Sequence, residues 1–167
     1  MNIKYSETFI RERLQKKVAE LKDEGILNDK TIYLVMLSGG VWFASHVFDC
    51  IPDMTNEVYF LKGHSYSGKT QGKIEWDYMP NMNLKGRQVV VIDDICDTGN
   101  TIHTIYETFK NEVESICFFT LLKRSTCQLD SQIQLYSCIT DESDDFFAGC
   151  GLDDNNQMRM LPYVVVV

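Results

Sequence analysis

The chain has 167 residues, 44% of them hydrophobic and 24% charged, with sixteen basic side chains against twenty-four acidic ones for a formal charge of −8. That length suits one domain with a core of its own, and the acidity excludes the basic face that a nucleic-acid-binding surface needs to displace counterions. No apolar run approaches the roughly eighteen residues of a membrane span, and the opening MNIKYSETFIRER has no apolar core of a signal peptide, so a cytoplasmic protein with neither membrane nor nucleic acid as partner is expected.

Ser6 is placed to cap a first helix in which Phe9, Ile10, Leu14, Val18 and Leu21 form one apolar stripe, with Gly25 stopping it. TIYLVML, residues 31–37, reads as a buried strand ending in Ser38-Gly39-Gly40, and VWFASHVFDCI as a buried helix closed by Pro52. VYFL, residues 58–61, is a second strand; QVVVID, residues 88–93, is a third, succeeded by a helix whose Ile102, Ile105, Tyr106 and Phe109 recur at helical spacing. ICFFTLL, IQLYSCI and LPYVVVV supply the remaining strands. Strands that are apolar throughout and alternate with helices predict an α/β fold with a mostly parallel sheet flanked by helices. Ligands of such sheets bind beyond the carboxyl ends of the strands, which directs attention to the residues just past Leu37, Leu61, Ile92 and Leu122. Six cysteines, none in a C-x-x-C pair, read as core thiols in a reducing compartment. Six acids crowded between Asp141 and Asp154 read as a solvated loop, and Lys123-Arg124 taken alone as a solvated basic pair.

GHSYSGKT, Gly63 to Thr70, fits the phosphate-binding pattern G-x-x-x-x-G-K-[ST]. A working loop of that kind runs from a strand into a helix, whose N-terminal amides hold the phosphates. Here the next segment is IEWDY, with apolar residues at alternate positions between Gly72 and Pro80, so a strand or hairpin is expected and nucleotide hydrolysis is not.

The informative stretch is VVVIDDICDTGNTI, residues 89–102. A buried strand delivers two adjacent carboxylates, Asp93 and Asp94, and Asp97-Thr98-Gly99-Asn100-Thr101 then turns directly into an amphipathic helix. Glycine with small hydroxyl and amide residues lets successive backbone N–H groups converge on one anion, and the helix start adds its dipole. Two acids beside such a cradle suit vicinal hydroxyls or a phosphate carrying Mg²⁺. The ligand so implied is a sugar phosphate with free hydroxyls.

This stretch resembles the phosphoribosyl pyrophosphate (PRPP) signature of the type I phosphoribosyltransferases, and from about Thr31 onward the chain is similar to their hypoxanthine-guanine branch. LSGG, Ser65-Tyr66, LLKRS and DDFFAGCGLDDNNQMRMLPY match further segments of that branch in order. The resemblance implies one domain over residues 1–167, with a mobile lid at about 62–80 and a small hood built from the N-terminal segment and about 141–167. It implies transfer of the phosphoribosyl group of PRPP to N9 of a 6-oxopurine, with Mg²⁺ as cofactor and a homodimer or homotetramer as the assembly. Asp93 and Asp94 would hold the ribose hydroxyls and metal, and Asp97, Thr98, Gly99, Asn100 and Thr101 the 5′-phosphate. Asp97 would also accept the N7 proton. Lys123 would meet the 6-oxo group, Phe146 would stack on the base and the Phe147 backbone would read its edge. Asp153 would bind a second Mg²⁺, while Ser38, Gly39, Arg159, Ser65 and Tyr66 would contact pyrophosphate.

The chain departs from the branch's usual residues at several points. Ser38 stands where lysine is common, Cys127 where arginine is frequent, Asp145 where a lysine precedes the stacking ring, and Cys150 and Asp154 where tyrosines occur. These changes predict a more negative surround for the base. A nonenzymatic relative that senses PRPP or nucleotide is the rival reading; Asp97, Lys123, Phe146 and Asp153 favour the enzyme.

Overall fold

A computed structural model describes residues 2–52, 55–65 and 74–167. The elements run β1 (Asn2–Tyr5), α1 (Glu7–Asp23), β2 (Ile32–Met36), α2 (Gly40–Asp49), β3 (Val58–Ser65), β4 (Ile74–Tyr78), β5 (Gln88–Cys96), α3 (Asn100–Phe109), β6 (Ser115–Arg124), β7 (Gln134–Asp141), β8 (Phe147–Ala148) and β9 (Val164–Val166). A six-stranded sheet has the order β4-β3-β2-β5-β6-β7, parallel except for β4, which pairs antiparallel with β3.

The central strands are apolar on both faces because each face meets helices. Tyr33 and Val35 of β2, Val90 and Ile92 of β5 and Phe119 of β6 pack with Ile10, Leu14, Val18 and Leu21 of α1 and Phe43 and Val47 of α2. The alternate residues Ile32, Leu34, Val89, Val91 and Phe118 pack on the opposite face with Ile102, Ile105 and Phe109 of α3. This two-sided burial comes from the two-residue period of a strand. The Ser6 hydroxyl caps α1 as expected, accepting from the Phe9 amide at 3.3 Å, and Gly25 turns away with φ +73°. All six cysteines are free and five are buried.

The stretch beyond the GHSYSGKT pattern returns as a strand, as its alternating residues predict, and residues 66–73 of the expected lid lie outside the described residues. Two features go beyond the sequence-based expectations. β3 continues past Leu61 to Ser65, because its last residues pair with β4 across Lys62↔Tyr78, Gly63↔Trp76 and His64↔Glu75. The second feature is a separate antiparallel sheet, β1-β9-β8, in which both ends of the chain meet: Ile3 pairs with Val165, and Ala148 pairs with Val165 from the other side. No helix among the described residues is long and apolar enough to cross a membrane.

Candidate active site

The carboxyl ends of β2, β5, β6 and β7 converge on one edge of the large sheet, where the three-stranded sheet overhangs them. Asp93 and Asp94 lie within β5, which runs on to Cys96 rather than stopping at Asp93 as expected, and each is folded onto the next amide. Asp93 Oδ1 accepts the Asp94 N–H at 2.9 Å, and Asp94 Oδ1 accepts the Ile95 N–H at 2.7 Å. Burial and then the neighbouring Asp94 charge push the Asp93 carboxyl well above its ordinary value. Burial raises Asp94 as well, against the opposing pull of the Ile95 amide, Asp93 and the Arg159 guanidinium. Neither acid has a basic partner within ion-pair distance among the described residues, so a cation or a pair of donating hydroxyls is what the pair lacks.

The loop after β2 lies directly against this pair. A Cβ on Gly39 would overlap the Asp94 carboxylate, and one on Gly151 would overlap the Gly39 carbonyl, so glycine at both positions is a condition of the approach. The Leu37–Ser38 peptide beside it is cis. Ser38, Gly39 and Asp94 are thus brought together with the segment that carries Arg159, whose Nη1 donates to the Gly151 carbonyl at 2.8 Å. Arg159 also pairs with Asp153 at 2.7 Å, and the second Asp153 oxygen accepts the Asn156 amide at 2.7 Å.

Gly99 caps α3 with φ +88°, and a Cβ there would strike Leu129 Cδ2 at 2.6 Å. That left-handed residue turns the chain so that the first amides of α3, which have no partner within the helix, point out beside Asp97. Asp97, Thr98 and Asn100 are exposed, Thr101 is half-buried and Gly99 is buried. The Thr98 hydroxyl accepts the Asn100 amide at 3.4 Å. An open run of backbone donors results at the start of α3, which follows the acid pair closely in the chain.

A cleft of about 270 Å³ is bordered by Asp94, Asp97, Arg124, Phe146, Phe147 and Asp153. Phe146 is 60% exposed and Phe147 only 4%. The first ring is therefore available to a planar ligand, and the second belongs to the core while its backbone, in β8, forms the rim. Lys123, the penultimate residue of β6, pairs with Cys96 and Thr140, is half-buried and does not line this cleft. Ser65 ends β3 and Tyr66 lies outside the described residues.

The 141–154 acids are not a uniformly solvated loop, which corrects that expectation. Asp141 is 4% exposed and accepts from Arg124 Nη1 at 3.0 Å, from the Ser143 amide at 2.8 Å and hydroxyl at 2.6 Å, and from the Tyr5 hydroxyl. Burial on its own would raise its pKa; the donated hydrogen bonds of Ser143 and Tyr5 and the Lys4 ammonium overcome that and hold it down at about 2. Asp145 pairs with Lys4 at 2.9 Å. The expected negative surround is thus offset: Lys4, from the opposite end of the chain, supplies the cation that the segment before Phe146 lacks.

Arg124 is not half of a solvated basic pair either. Its side chain is 12% exposed and ties several parts of the site together. Its Nε donates to Asp97 at 3.3 Å, Nη1 to the Ser143 carbonyl at 2.8 Å as well as to Asp141, and Nη2 to the Asp145 carbonyl, while the guanidinium lies 4.3 Å from the Phe147 ring centroid. The sequence does hold a usable signal: an arginine two residues past a buried strand segment, with aromatic and acidic residues downstream.

Comparison with known proteins agrees with this fold. The family model described as "Phosphoribosyl transferase domain" matches residues 10–155. A curated hypoxanthine-guanine phosphoribosyltransferase of Streptococcus pneumoniae is 30% identical over 155 residues, covering 91% of this chain and 85% of the relative. One of Streptococcus agalactiae is 33% identical over 135 residues, covering 79% and 74%. The crystal structure of a Staphylococcus aureus hypoxanthine phosphoribosyltransferase superposes with a TM-score of 0.87 at 24% identity, covering 100% of this chain and 92% of that one. The Trypanosoma cruzi hypoxanthine phosphoribosyltransferase in complex with the product IMP gives 0.84 at 20% identity, covering 100% and 94%. A model spanning most of the chain, together with a relative this similar over nine tenths of it, shows the family: the chain belongs to the phosphoribosyl transferase domain family and is a phosphoribosyltransferase.

Proposed function

We propose that the protein is a purine-salvage enzyme that moves the 5-phosphoribosyl group of PRPP onto N9 of a 6-oxopurine, hypoxanthine, guanine or xanthine, releasing pyrophosphate. The observation that carries this reading is the juxtaposition of an uncompensated acid pair and a glycine-started helix N-terminus on one side of a cleft with an exposed aromatic ring on the other. The curated relatives bear the name hypoxanthine-guanine phosphoribosyltransferase.

In this reading the amides of residues 97–101 hold the 5′-phosphate, and Asp93 and Asp94 accept from the ribose hydroxyls. Asp93 and Asp94 would also hold Mg²⁺. The fit rests on the chemistry of the donors, two adjacent carboxylates without a basic ion-pair partner among the described residues, since Mg²⁺ commonly binds through one or two carboxylates plus substrate phosphates and water. When bound, the ion neutralises charge on the departing pyrophosphate. Asp153 would hold a second ion once Arg159 exchanges its carboxylate for pyrophosphate, since both are charged partners of the same kind. The Ser38-Gly39 peptide, pressed against Asp94, is assigned to the same leaving group, and so are Ser65 and Tyr66 of the lid at 62–80. Phe146 stacks on the base, the Phe147 backbone meets its edge, and Lys123 donates to the 6-oxo oxygen. A lysine donor favours 6-oxopurines over adenine, whose 6-amino group also donates. Asp97, beside the cradle, takes the N7 proton as N9 bonds to the anomeric carbon. Water exclusion by the hood, residues 141–167 with the N-terminal segment, favours transfer over hydrolysis. A homodimer or homotetramer is the proposed assembly, and sedimentation measures it.

The test is turnover with PRPP and Mg²⁺ against hypoxanthine, guanine, xanthine and adenine in parallel. Nucleoside monophosphate is expected with at least one 6-oxopurine, and Asp97→Asn is expected to slow it by about 10²- to 10⁴-fold, the range for general acid–base groups. Product with adenine alone, or with none of the four, contradicts the reading.

A further inference from the structure

We propose that Arg124 is a positioning residue that fixes the Asp97 carboxylate and the purine-stacking segment in one frame. This rests on the assignment of Asp97 as acceptor of the N7 proton. The Asp97 side chain is 65% exposed, so packing does not select its rotamer, whereas the guanidinium that touches it at 3.3 Å is 12% exposed. That guanidinium is anchored on its far side by Asp141, whose side chain is 3% exposed, and by two backbone carbonyls, those of Ser143 and Asp145. Both carbonyls belong to the turn that delivers Phe146. The ring of Phe147, beneath the guanidinium, closes the frame. An anchored fork therefore holds a mobile carboxylate on one side and the turn before the stacking ring on the other.

The contribution is one of orientation. An ion pair with an exposed carboxylate adds little to stability, but a misplacement of about 1 Å between reacting groups costs up to about a hundredfold in rate. Four N–H groups of Arg124 diverge in the plane of the fork to reach four acceptors. A lysine ammonium presents its three donors at a single point and cannot reproduce that spread.

The experiment is a double-mutant cycle with Arg124→Lys and Asp97→Asn, reading kcat, the KM values for PRPP and purine, and the melting temperature. With Asp97 present, R124K is expected to lower kcat by about 10- to 100-fold. With Asn at 97 the same change is expected to cost less than about threefold, because coupled residues are not additive. The KM for PRPP should stay near the parent value in both backgrounds. Equal losses in both backgrounds would overturn the proposal, since Arg124 would then act through something other than Asp97. If Asp97→Asn is itself as active as the parent, the proton-acceptor assignment fails, and that result needs no Arg124 variant. A second variant guards against misfolding: added guanidinium ion should restore kcat to Arg124→Ala but not to R124A combined with D97N. Absence of that restoration, or loss of the fold in both Arg124 variants, marks the residue as structural and refutes the inference.

Discussion

Two carboxylates side by side at a strand end are costly before any ligand arrives, and the sign of that cost is testable. Because the folded-state pKa of Asp93 is raised by burial and by Asp94, its favourable contribution is fully present only below the unfolded value of roughly 3.9 and is lost as pH rises through the folded value. At neutral pH the pair therefore opposes folding. Asp93→Asn removes that opposition and keeps an Oδ1 acceptor for the Asp94 amide now held at 2.9 Å. It should raise the melting temperature of the ligand-free protein at pH 7 while strongly lowering PRPP turnover. A melting temperature at or below the parent's, measured by calorimetry at pH 7, would show that the pair is not strained. The pair and Gly99 are legible in the sequence because strand, turn and helix start are contiguous. Arg124 is legible only as a basic residue just past a buried strand segment; its partners Asp97 and Asp141, 27 and 17 positions away, are not. The Lys4 partnership with Asp145 spans 141 positions and leaves no local pattern at all.

Among the elements, legibility tracks burial on two faces. β2, β5 and β6 are enclosed by helices, and their unbroken apolar runs read directly as strands. β1, with four residues, and β8, with two, escape a reading of the sequence because each is defined by pairing with β9 at the far end of the chain and carries too short a run to show a period. What pins this small sheet to the large one is the cluster around Asp141 at the end of β7, which β1 supplies with Lys4 and Tyr5. Asp141 has a lowered folded-state pKa of about 2. Its contribution is therefore present above the unfolded value of roughly 3.9 and is lost as pH falls through about 2, a swing of about 2–3 kcal/mol. Tyr5→Phe removes one donor to a charged acceptor, worth about 1.5–3 kcal/mol. Acid unfolding monitored by circular dichroism should begin at higher pH in this variant, with a higher purine KM as the turn before Phe146 loosens. An unchanged acid limb would mean that β1 is held by its strand pairing and by the contacts of the Tyr5 ring with Phe9 and Phe147, not by the Asp141 cluster.

At the scale of the whole molecule, the topology decides between two anion sites suggested by the sequence. The GHSYSGKT pattern begins at Gly63 on β3, and the next described element is β4, an antiparallel partner of β3 at the edge of the sheet. The next helix among the described residues is α3, whose start is the Asp97–Thr101 turn at the sheet's centre, where β5 is flanked by β2 and β6. Anion binding of the helix-terminus kind needs backbone donors and a dipole in line, and only the central site combines these with adjacent carboxylates. The overall charge of −8 sharpens the point: a polyanion approaches against the long-range field, so its binding depends on local amides and on an accompanying cation. ATP with Mg²⁺ should accordingly release no phosphate in the parent or in Lys69→Ala, as measured by a phosphate-release assay. Hydrolysis that is present in the parent and disappears with Lys69 would return the edge hairpin to the chemistry, and the central cradle would then have to share its phosphate ligand with a loop that leads into no helix.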